Sequence, residues 1–142
     1  MKYKRILVGV DGSPQADRAF NVGCSLAKVL AAKLYIVWVV NRDRGMESSF
    51  GVNEDFYRDQ YAQVKDKLAP YTKKAADQGI DAETQALVGN VKVLLSKSFP
   101  AENKIDLIIL GQTGRNVIGK LSIGSHSTYV LQNSDVDVLI VK

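Results

Sequence analysis

Apolar residues follow two rhythms along this chain, and the two alternate. Arg5-Ile6-Leu7-Val8-Gly9-Val10 is a short, β-branched, apolar run ending in Asp11-Gly12-Ser13-Pro14. In that turn Ser13 can cap a helix and Pro14 suits its first turn, so the stretch reads strand, turn, helix. The helix then places Ala16, Ala19, Phe20, Gly23, Leu26, Ala27, Leu30 and Ala31 at spacings of three and four, with Cys24 at the edge of that face. Leu34 to Val40 is an uninterrupted apolar run, as expected of a parallel strand buried on both sides.

From Asn41 to Asn53 the periodicity is lost. Between Glu54 and Gln78, Tyr57, Tyr61, Val64, Leu68, Tyr71 and Ala75 recur at helical spacing; Pro70 is expected to kink or split this helix and Gly79 to close it. Ala82 to Val88 reads as a third strand. Val91, Leu94, Leu95 and Phe99 make a short helix stopped by Pro100, and Ile105 to Leu110 is a fourth strand. A glycine-rich loop, a helix around Ser125 to Gln132 and a last strand from Val136 to Val141 follow. Strands alternating with helices predict a doubly wound α/β fold: an open, parallel, five-stranded, Rossmann-like sheet with helices on both faces. Ligands of such sheets bind at the carboxyl ends of the strands where the strand order reverses, which points to Asp11 and Gly111.

The length of 142 residues fits one domain, 1–142. Hydrophobic residues at 46% and charged residues at 24% exclude intrinsic disorder. The lone Cys24 cannot form an internal disulfide, and no run approaches the ~20 apolar residues of a membrane span, so the expected setting is the cytoplasm, with no membrane partner. The net charge of +4 comes from scattered lysines and arginines, so nucleic acid is not an expected partner.

Candidate chemistry sits in Gly111 to Ser125. Gly114-x4-Gly119-Lys120 approaches a P-loop but fails at Leu121, where a hydroxyl should hold magnesium, and a bare match arises by chance in roughly one chain in thirty of this length. Gly111-x2-Gly114-x9-Gly124-Ser125 is rarer, at roughly one chain in two hundred, and it lies between a predicted strand and a predicted helix. Gly111 and Gly114 would let backbone close around an anion, while Gly124-Ser125 would open a helix whose free amides and positive dipole end hold phosphate. Arg115 can pair with phosphate, and His126, the only histidine, can donate a hydrogen bond to it. From chemistry alone, a purely structural glycine loop capped by Ser125 is an equal reading.

Ile6-Leu7-Val8-Gly9-Val10-Asp11-Gly12-Ser13, Trp38-Val39-Val40, Leu87-Val88-Gly89, the G-x2-G-x9-G-S pattern and Val138-Leu139-Ile140-Val141 together resemble a universal stress protein from end to end, of the type that binds ATP. The resemblance implies an adenine nucleotide α-hydrolase-like fold and a cytoplasmic, nucleotide-dependent stress sensor or switch. It implies that Asp11 contacts the nucleoside, backbone at Val39 reads adenine, Gly111 lies near the ribose, and Gly114, Gly124 and Ser125 hold phosphates. ATP, with or without Mg2+, is the implied cofactor, and a homodimer paired through Val136 to Val141 the implied assembly; an apolar edge strand calls for such cover on general grounds. The chain departs from the family pattern at His126, at Trp38 where relatives carry histidine, and at Asp137 where they carry proline.

Catalytic motifs are absent from the sequence, and no residues are expected to be catalytic or resident metal ligands. Hydrolysis is expected to be slow or absent, although the resemblance leaves weak ATPase activity or self-phosphorylation open. The alternative function is a nucleotide-independent protein-interaction module of the same fold. A phosphorylated receiver domain would need a second acidic residue after the first strand, where Gly12 stands.

Overall fold

The computed structural model describes residues 2–42, 54–112 and 124–142. Strands β1 (Arg5–Gly9), β2 (Lys33–Asn41), β3 (Ala82–Gly89), β4 (Leu107–Gly111) and β5 (Asp137–Val141) form one parallel sheet in the order β3-β2-β1-β4-β5. Helices α1 (Pro14–Leu30) and α2 (Glu54–Asp77) cover one face; α3 (residues 91–103) and α4 (Ser125–Asn133) cover the other. The doubly wound expectation holds, and β5 is an edge strand.

Period-two alternation divides each strand between two cores. Ile6, Val8, Leu34, Ile36, Leu107 and Ile109 pack under α1 and α2, while Leu7, Tyr35, Val37, Ile108 and Leu110 pack under α3 and α4. Burial on both faces is why these strands read as continuous apolar runs. Cys24 lies inside the first core at 1% exposure, not at the edge of its helix face, and burial raises its thiol pKa. It is packing.

Neither proline ends its helix. Helix α2 runs unbroken through Pro70, which faces solvent; the Asp66 carbonyl that loses its amide partner there is on an exposed residue that water can reach. Helix α3 does not stop at Pro100 but passes through it to Asn103, by widening to a π-helical stretch at Leu94–Ser98. Phe99 N–H reaches back to Leu94 O, five residues away, which loosens the turn where the proline ring would meet the Ser96 carbonyl. The ends of β4 and β5 also differ slightly from expectation: β4 begins at Leu107 and β5 at Asp137.

Candidate functional site

The strand order reverses between β1 and β4, the two neighbours that leave the sheet toward opposite faces. After β1, Asp11 Oδ1 accepts the Ser13 N–H at 2.9 Å, and Ser13 Oγ caps α1 by accepting the Ala16 N–H at 3.1 Å. Gly12 makes this turn possible, with φ +81° and the tip of the Trp38 ring 3.0 Å from where a Cβ would stand. Asp11 is thereby held exposed at the mouth of the crevice.

Backbone alternation decides what Val39 offers. In a parallel strand, both backbone groups of a residue point to one side, and successive residues alternate. Lys33 N–H bonds Lys4 O and Val37 O accepts from Val10 N–H, each at 2.9 Å, so odd residues of β2 face β1. Leu34 and Arg42 donate to Asp81 and Gly89, so even residues face β3. Val39 belongs to the β1-facing set, yet Val10 makes the last described bond from that side. Its N–H and C=O, a donor and an acceptor side by side, point over the end of β1.

At the end of β4, Gly111 is required by packing as much as by any ligand. A Cβ there would stand 2.4 Å from Gln15 O and 2.6 Å from Gln15 C, so only glycine lets the strand end meet the first turn of α1. Gln112 N–H then bonds Val141 O at 2.7 Å, and the buried Ser127 hydroxyl donates to Gly111 O at 3.1 Å, tying α4 to the strand. Helix α4 opens at Gly124, which has no side chain to cap it. The cap is therefore not Ser125, which is the first helical residue, and the amides of Ser125, His126 and Ser127 have no acceptor inside the helix. Ser125 and His126 are exposed. Gly114 and Arg115, and the near P-loop, lie outside the described residues.

The structure thus brings the ends of β1, β2 and β4 and the start of α4 to one edge of the sheet. It also adds residues that sequence reasoning missed. Tyr71 of α2 donates its hydroxyl to Asp17 Oδ1 in the first turn of α1 at 2.5 Å. Burial, then that hydrogen bond, then the charges of Asp17 and Asp11 raise the Tyr71 pKa. The helical spacing marked Tyr71 as a packing residue; nothing in it revealed a partner 54 positions away. Ser127 likewise carried no signal beyond its place in a helix. Among the described residues, no group of three or more His, Cys, Asp or Glu could hold a metal ion, and no helix is long and apolar enough to cross a membrane.

Residues 2–142 match the family model described as the universal stress protein family. A chain of Staphylococcus aureus (strain USA300) named for that family is 34% identical over 142 residues, 99% of this chain and 84% of that one. The solved universal stress protein UspA from Lactobacillus plantarum is 24% identical with a TM-score of 0.83, over 100% of this chain and 99% of that one. A universal stress protein solved in complex with cAMP is 26% identical with a TM-score of 0.75, over 100% and 98% of the two chains.

Proposed function

The chain belongs to the universal stress protein family, and on that premise we propose that it binds ATP in the crevice between the ends of β1 and β4 and works as a cytoplasmic nucleotide-dependent switch in a stress response. The observation that carries this reading is the convergence of two backbone sets at one edge: the Val39 N–H and C=O, which point past the end of β1, and the first turn of α4, whose amides have no acceptor within the helix. A donor next to an acceptor matches the amino and ring-nitrogen edge of adenine, and a free helix N-terminus suits phosphate. The Asp11 carboxylate stands between them as the acceptor for ribose hydroxyls. Gly111 flanks the ribose, Gly114, Arg115, Gly124, Ser125 and His126 serve the phosphates, and Asp11 is the carboxylate that would help to hold Mg2+, which would offset phosphate charge. A relative in complex with cAMP supports an adenine nucleotide as the ligand class. The same reading pairs two copies through β5, whose Leu139 is 38% exposed on a sheet edge; Leu139→Asp should yield a monomer in analytical ultracentrifugation.

The deciding experiment is calorimetric titration of ATP, with and without Mg2+, into nucleotide-free protein and into a folded Gly114→Val, Gly124→Val variant. Saturable binding to the first, lost in the second, is the expected result. No heat and no competition with a labelled analogue would leave a nucleotide-independent interaction module.

A further inference from the structure

Strand β2 outruns its neighbour. β1 ends at Gly9, which lies beside Val37, whereas β2 continues to Asn41. Trp38 is therefore the first residue of β2 past the end of β1, and its indole, packed against the core under α1 and α2, reaches the turn that follows β1. The outer ring makes the contact. Its Cη2, Cζ2 and Cζ3 atoms stand 3.0, 3.6 and 3.8 Å from the position a Gly12 Cβ would take, and they are the three nearest atoms to it. The Lys67 ammonium of α2 lies over the same ring, 5.8 Å from its centre, and the attraction of a cation for the π-face steadies the indole.

We infer that Trp38 is a positioning residue of the nucleotide site, acting on ribose recognition through Asp11. The turn is pinned at both ends: Val10 N–H bonds Val37 O at 2.9 Å, and Ser13 Oγ accepts the Ala16 N–H at 3.1 Å. Between those points Gly12 sits at φ +81° with no side chain of its own to anchor it. The indole supplies the missing support. A flat, stiff double ring set against the turn fixes how far the Asp11 carboxylate, whose Oδ1 already accepts the Ser13 N–H at 2.9 Å, stands from the end of the sheet. A single-ring side chain ends short of Gly12, because all three contacting atoms belong to the second ring of the indole. This role rests on the nucleotide reading of the crevice and deepens it: a residue behind the turn sets how well the ribose hydroxyls are held.

ATP and 2′,3′-dideoxy-ATP, which lacks both ribose hydroxyls, are titrated without Mg2+ into the intact wild type, Trp38→Phe, Trp38→His and Asp11→Asn by calorimetry. Both Trp38 variants should weaken ATP by about threefold to tenfold, a partial loss of hydrogen bonding to a charged acceptor. Both should leave dideoxy-ATP within about twofold of the wild type, the scatter expected of independent sites. The ratio of the two affinities is the deciding readout, since general damage to packing weakens both ligands alike. Trp38→Phe added to Asp11→Asn should cost no further ATP affinity, because two residues acting through one carboxylate are not additive. Equal weakening of both ligands, an additive double variant, a wild type without preference for ATP, or loss of the circular dichroism of the fold in both Trp38 variants overturns the role and leaves Trp38 as packing. A wild type that takes up neither ligand overturns the nucleotide reading and this role with it. Failure of the ratio in a wild type that binds ATP overturns this role alone.

Discussion

The two ends of the sheet are built to opposite rules. At the amino end of the strands side chains bond across elements: the Asp106 carboxylate accepts the N–H groups of Lys4 and Arg5 at 2.9 and 3.1 Å, Arg5 donates to the Tyr35 hydroxyl at 2.6 Å, and Tyr3 donates to Asp137 at 2.6 Å. At the carboxyl end the ladder stops short, leaving Val39 facing past β1 and the first turn of α4 uncapped. An unpaired backbone group is tolerated only where water or a ligand can reach it. The comparison teaches that this fold ties its strands together with side-chain bonds at one end and leaves backbone groups directed away from the ladder at the other, the end at which the proposed nucleotide would bind.

Gly111→Ala should have the largest effect. Its new Cβ would collide with the Gln15 carbonyl, and the variant should lose about 3 kcal/mol, the upper part of the usual range for overpacking, read as a lower urea midpoint at unchanged m. A wild-type midpoint would show that the closed packing of β4 on α1 is not needed. Tyr71→Phe should cost about 2 kcal/mol, because it leaves a charged acceptor, Asp17, without its bond. Here pH sharpens the test. Tyr71 has a raised pKa in the folded state, so its contribution is complete below the ordinary tyrosine value of about 10 and is lost as pH rises beyond it, where the unfolded chain ionises first. Denaturation midpoints between pH 9 and 11 should therefore fall more steeply in the wild type than in Tyr71→Phe.

The last pair of variants separates the two ends directly. Asp106→Ala should lower stability by about 1.5 kcal/mol, since two amides lose a charged acceptor, yet leave ATP affinity unchanged. Asp11→Asn keeps an oxygen for the Ser13 amide and should change stability by less than about 0.5 kcal/mol while weakening ATP by about tenfold. An Asp106 variant with impaired binding, or an Asp11 variant with intact binding, breaks the division of labour.

Local sequence settled a good deal of this protein. Apolar runs buried on two faces announced the parallel strands, Ser13 and Pro14 announced the start of α1, and the spacing of Tyr57, Val64, Leu68 and Tyr71 announced α2. These are short-range matters of periodicity and capping, which a linear pattern records. The stop expected at Pro100 was misread, and α2 is not split at Pro70, because whether a helix survives a proline depends on which side faces water and on whether a turn can widen, and neither is written in the neighbouring residues. The candidate site was legible as two strand ends and a glycine pattern, since those are sequence landmarks. That Gly111 must be bare because Gln15 stands against it, that Tyr71 holds Asp17, and that Val39 points beyond β1 were decided only by tertiary structure. Each is a contact or a direction between segments far apart in the chain, fixed by how strands align and helices dock, and so carried by no single stretch of residues.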